Sequence, residues 1–482
     1  MGAVEPAREA RDPRDARPLV LLLCAVAISL VTWALLVPPF AVPDEAAHVA
    51  YVQSLAERGE RPRAGAPGDR LYSSELRWAR GAIRTNRIVD PQLKPAWEPG
   101  AERLWERYRP RLGVRGDDAK AIGAQANHPP LYYAYEAIPY TAPSGGDVFD
   151  RIFAMRVWSA LLMLVTTTGA WLLIGELTDR DRLLQLAGSA CVGLQPMATF
   201  VSAGVNPDAL LFASYSMALW LAVRLVRRGP SRAPLAGLLA ATAAAVLVKP
   251  AGLALVPAVV LVLAVLARRG GFAPRLSAVA GVGLAAVLVL VGVVGEREIG
   301  ARAPLDLDPG ALRGFATYLW DFYLPRLPFQ NEYAALAIDN PAQTVWVEYT
   351  WAAFGLLDVR FPEPVYFGLA GVALATFASA AVAVARRRFR PDRNTLAIFG
   401  LVAACLVLGL HWVDFQSVRD DHGRVMQGRY LLPLMPIVGV AVAAGLSNLS
   451  RRLRELGAAL ILAGMAVLQL FSLALVAGRY LA

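Results

Sequence analysis

Charge is the first thing this chain lacks. Of its 482 residues only 18% are Asp, Glu, Lys or Arg, against 56% hydrophobic, and the mean hydropathy is +0.44. A soluble domain of this size needs a far more polar surface, so an ordinary cytosolic enzyme is excluded. Cysteine is scarce as well. Cys24, Cys191 and Cys405 each lie in an apolar run, with no C-x-x-C pair and no close histidine, which indicates neither a disulfide framework nor a zinc site. The chain also lacks a G-x-G-x-x-G, a Walker loop, a G-x-S-x-G, an H-E-x-x-H and any convincing internal repeat.

What is abundant is apolar length. The run 18–37 has about twenty residues, enough to cross a bilayer core of about 30 Å at 1.5 Å per residue, and it is longer than the apolar part of a usual signal peptide, so a retained anchor is expected. Further runs fall at 152–175, 184–203, 208–223, 233–248, 250–267, 276–295, 365–385, 396–412, 430–446 and 456–478. The reading is an all-α polytopic membrane protein with about eleven spans (ten to twelve) over 18–478.

The formal charge of +10 would raise nucleic acid as a partner in a soluble protein. Here the arginines recur at every second connection: Arg8, Arg11, Arg14 and Arg17, then Arg180 and Arg182, Arg227 and Arg228, Arg268 and Arg269, Arg386 to Arg388, and Arg451 and Arg452. Short cytoplasmic loops retain such residues, so topology accounts for the excess and no nucleic-acid partner is expected. The tail 1–17 is then cytoplasmic, and the two long loops, 39–150 and 297–364, lie outside. Almost no ionisable side chain falls within the runs, Arg156 being the main exception, whereas ion-coupled transporters need charge at membrane depth.

The polar chemistry gathers on that outer side. Directly after the first span comes Pro43-Asp44-Glu45-Ala46-Ala47-His48. A helix starting at Pro43 puts Asp44 and Glu45 in its first turn and Asp44 and His48 on one face. Such a carboxylate takes a proton from a hydroxyl, or with His48 holds a divalent cation such as Mg or Mn; alternatively the two acids only satisfy free N–H groups and the helix dipole. The segment Asn127-His128-Pro129-Pro130-Leu131-Tyr132-Tyr133 ends the polar part of the same loop, with His128 either a ligand-binding group or a turn residue.

Three cations sit at outer span ends: Arg156, Lys249 before Pro250, and Arg429 in Gln427-Gly428-Arg429-Tyr430. Singly they snorkel to headgroups; converging, they bind a lipid-linked phosphate. Asn206-Pro207-Asp208 lies on the same side, where Asp208 is also a natural helix cap. Residues 318–354 hold ten aromatics, three times the chain's 9% average, as a structural belt or a sugar-stacking platform.

Taken together, P-D-E-x-x-H after the first span, HPPLYY at 128–133, NPD at 206–208, KP at 249–250, WAAFG at 351–355 and QGRY at 427–430 resemble a bacterial multi-pass family catalogued as domain of unknown function 2142. That family is in turn similar to the GT-C glycosyltransferases, which use polyprenyl-phosphate sugar donors at the outer face of the plasma membrane. The resemblance implies a GT-C-like bundle whose two outer loops carry interfacial helices. It places the catalytic carboxylate at Asp44, with Glu45 beside it, and His128 nearby; from their own positions on the outer side, His48, Arg156, Asn206, Asp208, Lys249, Gln427 and Arg429 are expected around the substrates. The implied reaction is an inverting transfer to a cell-envelope glycan, lipid or protein acceptor. Two other readings are a flippase or transporter of lipid-linked sugars and a non-catalytic envelope-assembly protein.

Overall fold

The computed structural model describes residues 16–63, 72–85, 99–112, 128–142, 146–269, 309–325, 341–420 and 423–481, with single positions between them. The chain is an all-α membrane protein. Among the described residues eight helical stretches are long and apolar enough to span a bilayer. The first four in chain order are α1 (Arg17–Leu36), α6 (Val148–Leu177), α9 (Asp208–Arg228) and the stretch Pro250–Arg268. In the last of these a 3-10 turn at Pro250–Leu255 leads into α11 (Val256–Arg268). The remainder are α13 (Glu363–Ala385), α14 (Arg393–Arg419), the stretch Gly428–Ser447, which ends in α15 (Met435–Ser447), and α16 (Arg451–Tyr480).

Two expected spans come out shorter. The run at 184–203 is broken into α7 (Arg182–Gly193) and α8 (Pro196–Ser202), because Pro196 has no N–H to bond the preceding turn and suits the first turn of a new helix. Gln195 caps the new start, accepting from the Ala198 N–H at 2.5 Å, and its Nε2 donates to the Thr350 carbonyl at 2.6 Å. The run at 233–248 forms the fifteen-residue α10 (Arg232–Val246). The run expected at 276–295 lies outside the described residues apart from isolated positions. Most of the expected tail 1–17 lies outside them too.

Ionisable groups are more common inside the helices than the hydropathy runs imply. Glu176 in α6 pairs with Arg224 and Arg228 of α9 at 2.8 and 2.7 Å, and His411 and Asp414 are buried in α14. The runs stop at the first charge, whereas a helix continues wherever a partner satisfies that charge.

The helices pack as lipid-solvated helices do, through small residues and side-chain hydrogen bonds. Gly188 of α7 and Gly439 of α15 meet so closely that a Cβ on Gly439 would sit 2.8 Å from the Gly188 carbonyl oxygen. Across α1, α8 and α16, Trp33 Nε1 donates to Gln469, whose Nε2 donates to Thr199 at 2.6 Å.

Between α1 and α6, the first long loop forms α2 (Glu45–Arg58), α3 (Ser74–Ala82), α4 (Pro99–Tyr108) and α5 (Leu131–Thr141). Arg151 near the start of α6, only 1% exposed, clamps this layer down by reaching Glu57 of α2 at 3.3 Å, Glu75 of α3 and Tyr140 of α5. The second long loop supplies α12 (Pro309–Tyr323), which packs on α14, and the aromatic segment 341–351, which includes a π-helical turn at Thr344–Glu348.

Candidate active site

The chain leaves α1 through Val37-Pro38-Pro39-Phe40, where neither proline donates a hydrogen bond and the carbonyls need outside partners. Arg156 supplies them from the third turn of α6. Its Nη1 donates to Ala34 and Val37 at 3.1 and 2.6 Å and its Nη2 to Pro38 at 2.9 Å. Its remaining donors meet Glu45, Nε to Oε1 at 2.7 Å and Nη2 to Oε2 at 2.6 Å. Glu45 also accepts from the Phe40 and Val205 N–H groups and is fully buried. All five guanidinium N–H groups are thereby used. Glu45 and Arg156, expected in catalytic and phosphate-binding positions, instead form a closed buried pair that shapes the turn.

Asp44 is the neighbour this turn exposes. It sits at the N-cap of α2 with φ 61°, and its side chain caps nothing. The helix starts at Glu45 rather than Pro43, and the first-turn N–H groups are left to backbone acceptors, with His48 N–H donating to the Asp44 carbonyl at 3.0 Å. The Asp44 carboxylate, 51% exposed, accepts from Arg429 Nη2 at 3.3 Å. A capping role for this acid is therefore not what the geometry shows.

Asn206 tethers the segment from the other side. Its amide donates to the Pro43 carbonyl at 3.2 Å, and its Oδ1 accepts from the Asp208 N–H at 3.0 Å. This brings the start of α9 under Asp44. Lys249, in the extended link before Pro250, donates to Asp208 Oδ1 at 2.5 Å. Arg429 Nε lies 3.6 Å from Asp208 Oδ2, within ion-pair range but unbonded. The ring of Tyr430 carries both cations, with Lys249 Nζ at 5.5 Å and the Arg429 guanidinium at 5.3 Å from its centroid.

Asp44, Asp208, Lys249 and Arg429, spread over 386 positions from 44 to 429, therefore converge at one end of the bundle. The cluster is incompletely bonded. Asp208 Oδ2, Arg429 Nε and Nη1, and Gln427 Oε1 are buried without hydrogen-bond partners among the described residues. Orphaned donors on a buried arginine mark a place where an anion's oxygens fit.

Gly428 makes this placement possible. A Cβ there would collide with the Val345 carbonyl and the Thr350 backbone N–H. Gly428→Ala is expected to push the 3-10 turn at Gly428–Leu434 off the aromatic segment, at a cost of about 1–3 kcal/mol of stability. Thermal unfolding of the purified variant checks this; an unchanged midpoint would contradict the close packing.

On the other side of Asp44, the Tyr133 hydroxyl bridges two imidazoles, His48 Nδ1 at 3.0 Å and His128 Nδ1 at 3.2 Å, while its ring stacks on Tyr51 at 3.6 Å. One hydroxyl has a single proton to give and two lone pairs, so at most one of the two imidazoles accepts from Tyr133 and at least one donates to it. Burial, reinforced by His128, Lys249 and Arg429, holds the His48 imidazole well below its ordinary value, and burial with nearby Tyr51, Asp208 and Asp44 raises the Tyr133 phenol. His48 is thus a neutral polar group beside the acid.

Asn127 lies outside the described residues, as does His422. No three His, Cys, Asp or Glu side chains cluster as metal ligands do among the described residues. The Asp44 carboxylate turns to Arg429 and His48 Nδ1 to Tyr133, so the expected Asp44–His48 cation pair has no third ligand beside it there. The motifs pointed to Tyr430 and Tyr133 only as neighbours; their ring geometry needed the fold.

Fold and site together define a polytopic helical membrane protein with a partly unsatisfied cluster of acids and cations where several spans begin. The chain belongs to the family of predicted membrane proteins DUF2142, whose model matches residues 27–438. No curated protein sequence matches it. Among solved structures it is similar to ArnT from Cupriavidus metallidurans in the apo state, with 16% identity and a TM-score of 0.46 over 94% of this chain and 63% of that one. The chain thus spans less than two thirds of the length of that structure.

Proposed function

We propose that the protein is a membrane glycosyltransferase that moves a sugar from a polyprenyl-phosphate donor to a cell-envelope glycan, lipid or protein acceptor. The reaction takes place at the outer face of the bacterial plasma membrane, with the N-terminus cytoplasmic. The observation that carries this reading is the pairing of an exposed acid, Asp44, with a buried guanidinium, Arg429, whose Nε and Nη1 have no hydrogen-bond partner among the described residues.

The acceptor hydroxyl attacks the anomeric carbon with inversion, the bond from that carbon to the phosphate oxygen breaks, and the proton of the hydroxyl passes to Asp44. A carboxylate is a weak ground-state base, so it acts as the alcohol acidifies during attack. The departing lipid phosphate takes up negative charge beside Arg429 and Lys249, with Asp208 holding the two cations in place. His48 and Gln427 offer neutral hydrogen-bonding groups to the sugar. The residues do not require a divalent cation, and one held at Asp44 would polarise the acceptor oxygen.

The test is incubation of the purified protein with a panel of polyprenyl-phosphate sugars and acceptors. Arg429→Gln is expected to lower turnover by about 10²–10³-fold, the effect typical of removing one donor to developing charge. Turnover unaffected by this change, measured on protein of unchanged thermal stability, would remove the phosphate-binding role.

A further inference from the structure

Five residues before Arg429 the chain carries another arginine that the site above does not use. The Arg424 side chain is 8% exposed, and its Nε, Nη1 and Nη2 are all buried without a hydrogen-bond partner among the described residues. Native folds keep such donors orphaned where a ligand or ordered water supplies the acceptors.

Asp414 does not supply them. Its Oδ2 is 3.6 Å from Arg424 Nε with no hydrogen bond. Its oxygens are committed elsewhere: Oδ1 accepts from the Val425 and Met426 N–H groups, each at 2.9 Å, and Oδ2 from the Tyr318 hydroxyl at 2.7 Å. Asp414 therefore balances the charge and fixes the backbone beside Arg424, while the planar fork stays unfilled. That division suits an anion-binding arginine, stable when empty and with its donors in reserve.

The surroundings are aromatic. Arg424 lies over the Phe322 ring at 5.0 Å from its centroid. His411 is locked between the Tyr318 hydroxyl at 3.2 Å and the Tyr323 hydroxyl at 2.7 Å, and Trp346 Nε1 donates to Tyr323 at 2.9 Å. With their polar tips satisfied, these rings are rigid, and Tyr323 remains 47% exposed. From Arg424 to Arg429 the extended chain reaches at most about 18 Å, so one oligosaccharide can meet both arginines.

We infer that Arg424 marks an anion subsite for the acceptor, taking a phosphate or carboxylate carried on a sugar, with Tyr323 and Trp346 as the sugar's platform. The word acceptor rests on the transferase reading; the binding does not.

The experiment is titration calorimetry on the full-length protein in phosphatidylcholine nanodiscs, with glucuronate and glucose 1-phosphate as probes and glucose as the neutral control. Both anionic sugars are expected to bind more tightly than glucose in the wild type, and the Arg424 variants are also compared in the Arg429→Gln background, where the phosphate site at Arg429 no longer contributes. Arg424→Gln weakens them at least tenfold, and Arg424→Lys, which keeps the charge but not the fork, weakens them less. A second arm compares the thermal stability of the same variants in phosphatidylglycerol nanodiscs without sugar. Anionic-sugar affinities that survive Arg424→Gln in a folded protein overturn the subsite. An Arg424 effect seen only with phosphatidylglycerol overturns it too, by assigning the arginine to a lipid headgroup. Arg424-dependent binding without turnover on any lipid-linked donor would sustain the subsite while removing the transferase reading, and turnover without such binding would do the reverse.

Discussion

Asp44→Asn is expected to lower sugar transfer by about 10²–10⁴-fold, the usual contribution of a positioned general base, while leaving thermal stability essentially unchanged. The separation follows from the local geometry. Asp44 holds a left-handed backbone conformation that asparagine adopts readily. Its side chain is half exposed, caps no helix and makes one long bond to Arg429, so its amide counterpart fits the same place. What disappears is the capacity to take the acceptor's proton. Initial rates with saturating donor, beside unfolding midpoints for both proteins, check this; wild-type rates in the variant would remove the base from the mechanism.

The opposite pattern is expected at Arg156, the partner of the next residue, Glu45. Arg156→Met leaves the Glu45 carboxylate buried without its counter-charge, strips the Ala34 and Val37 carbonyls of the arginine's donors, and leaves Pro38 only the Ala41 N–H. Breaking a buried pair from one side costs about 3–5 kcal/mol. Adding Glu45→Leu is expected to recover only part of this loss, because the Ala34 and Val37 carbonyls stay without the arginine and the Phe40 and Val205 N–H groups lose their acceptor. The readout is the unfolding midpoint in detergent or nanodiscs, and activity falls with it rather than separately. A variant as stable as the wild type would show that the pair does not hold the turn.

These contrasting neighbours show where sequence is informative. The apolar runs locate the spans because lipid imposes length and polarity on every crossing helix, but hydropathy alone read 184–203 as one unbroken span and passed over the break at Pro196. Span ends are less legible: α6 runs past Glu176 and α14 past Asp414 because distant partners satisfy those charges. Asp44, Asp208, Lys249 and Arg429 stand out as polar residues at span ends, and the fold brings them together. That Glu45 turns inward to Arg156 while Asp44 faces out cannot be read from two adjacent acids, since the direction is set by carbonyls of the preceding turn. The bridging hydroxyl of Tyr133, and Arg424 with its committed Asp414, depend on contacts between segments 85 and 10 positions apart or on donors left empty, which no motif encodes.

The central claim is that acid and cations meet to cleave a lipid-linked sugar. The direct measurement is the fate of a radiolabelled polyprenyl-phosphate sugar in proteoliposomes containing the purified protein and acceptor. The account predicts one free polyprenyl phosphate for each sugar transferred, with both products lost in Asp44→Asn. Donor that moves intact between leaflets, or that no acceptor ever consumes, would contradict it.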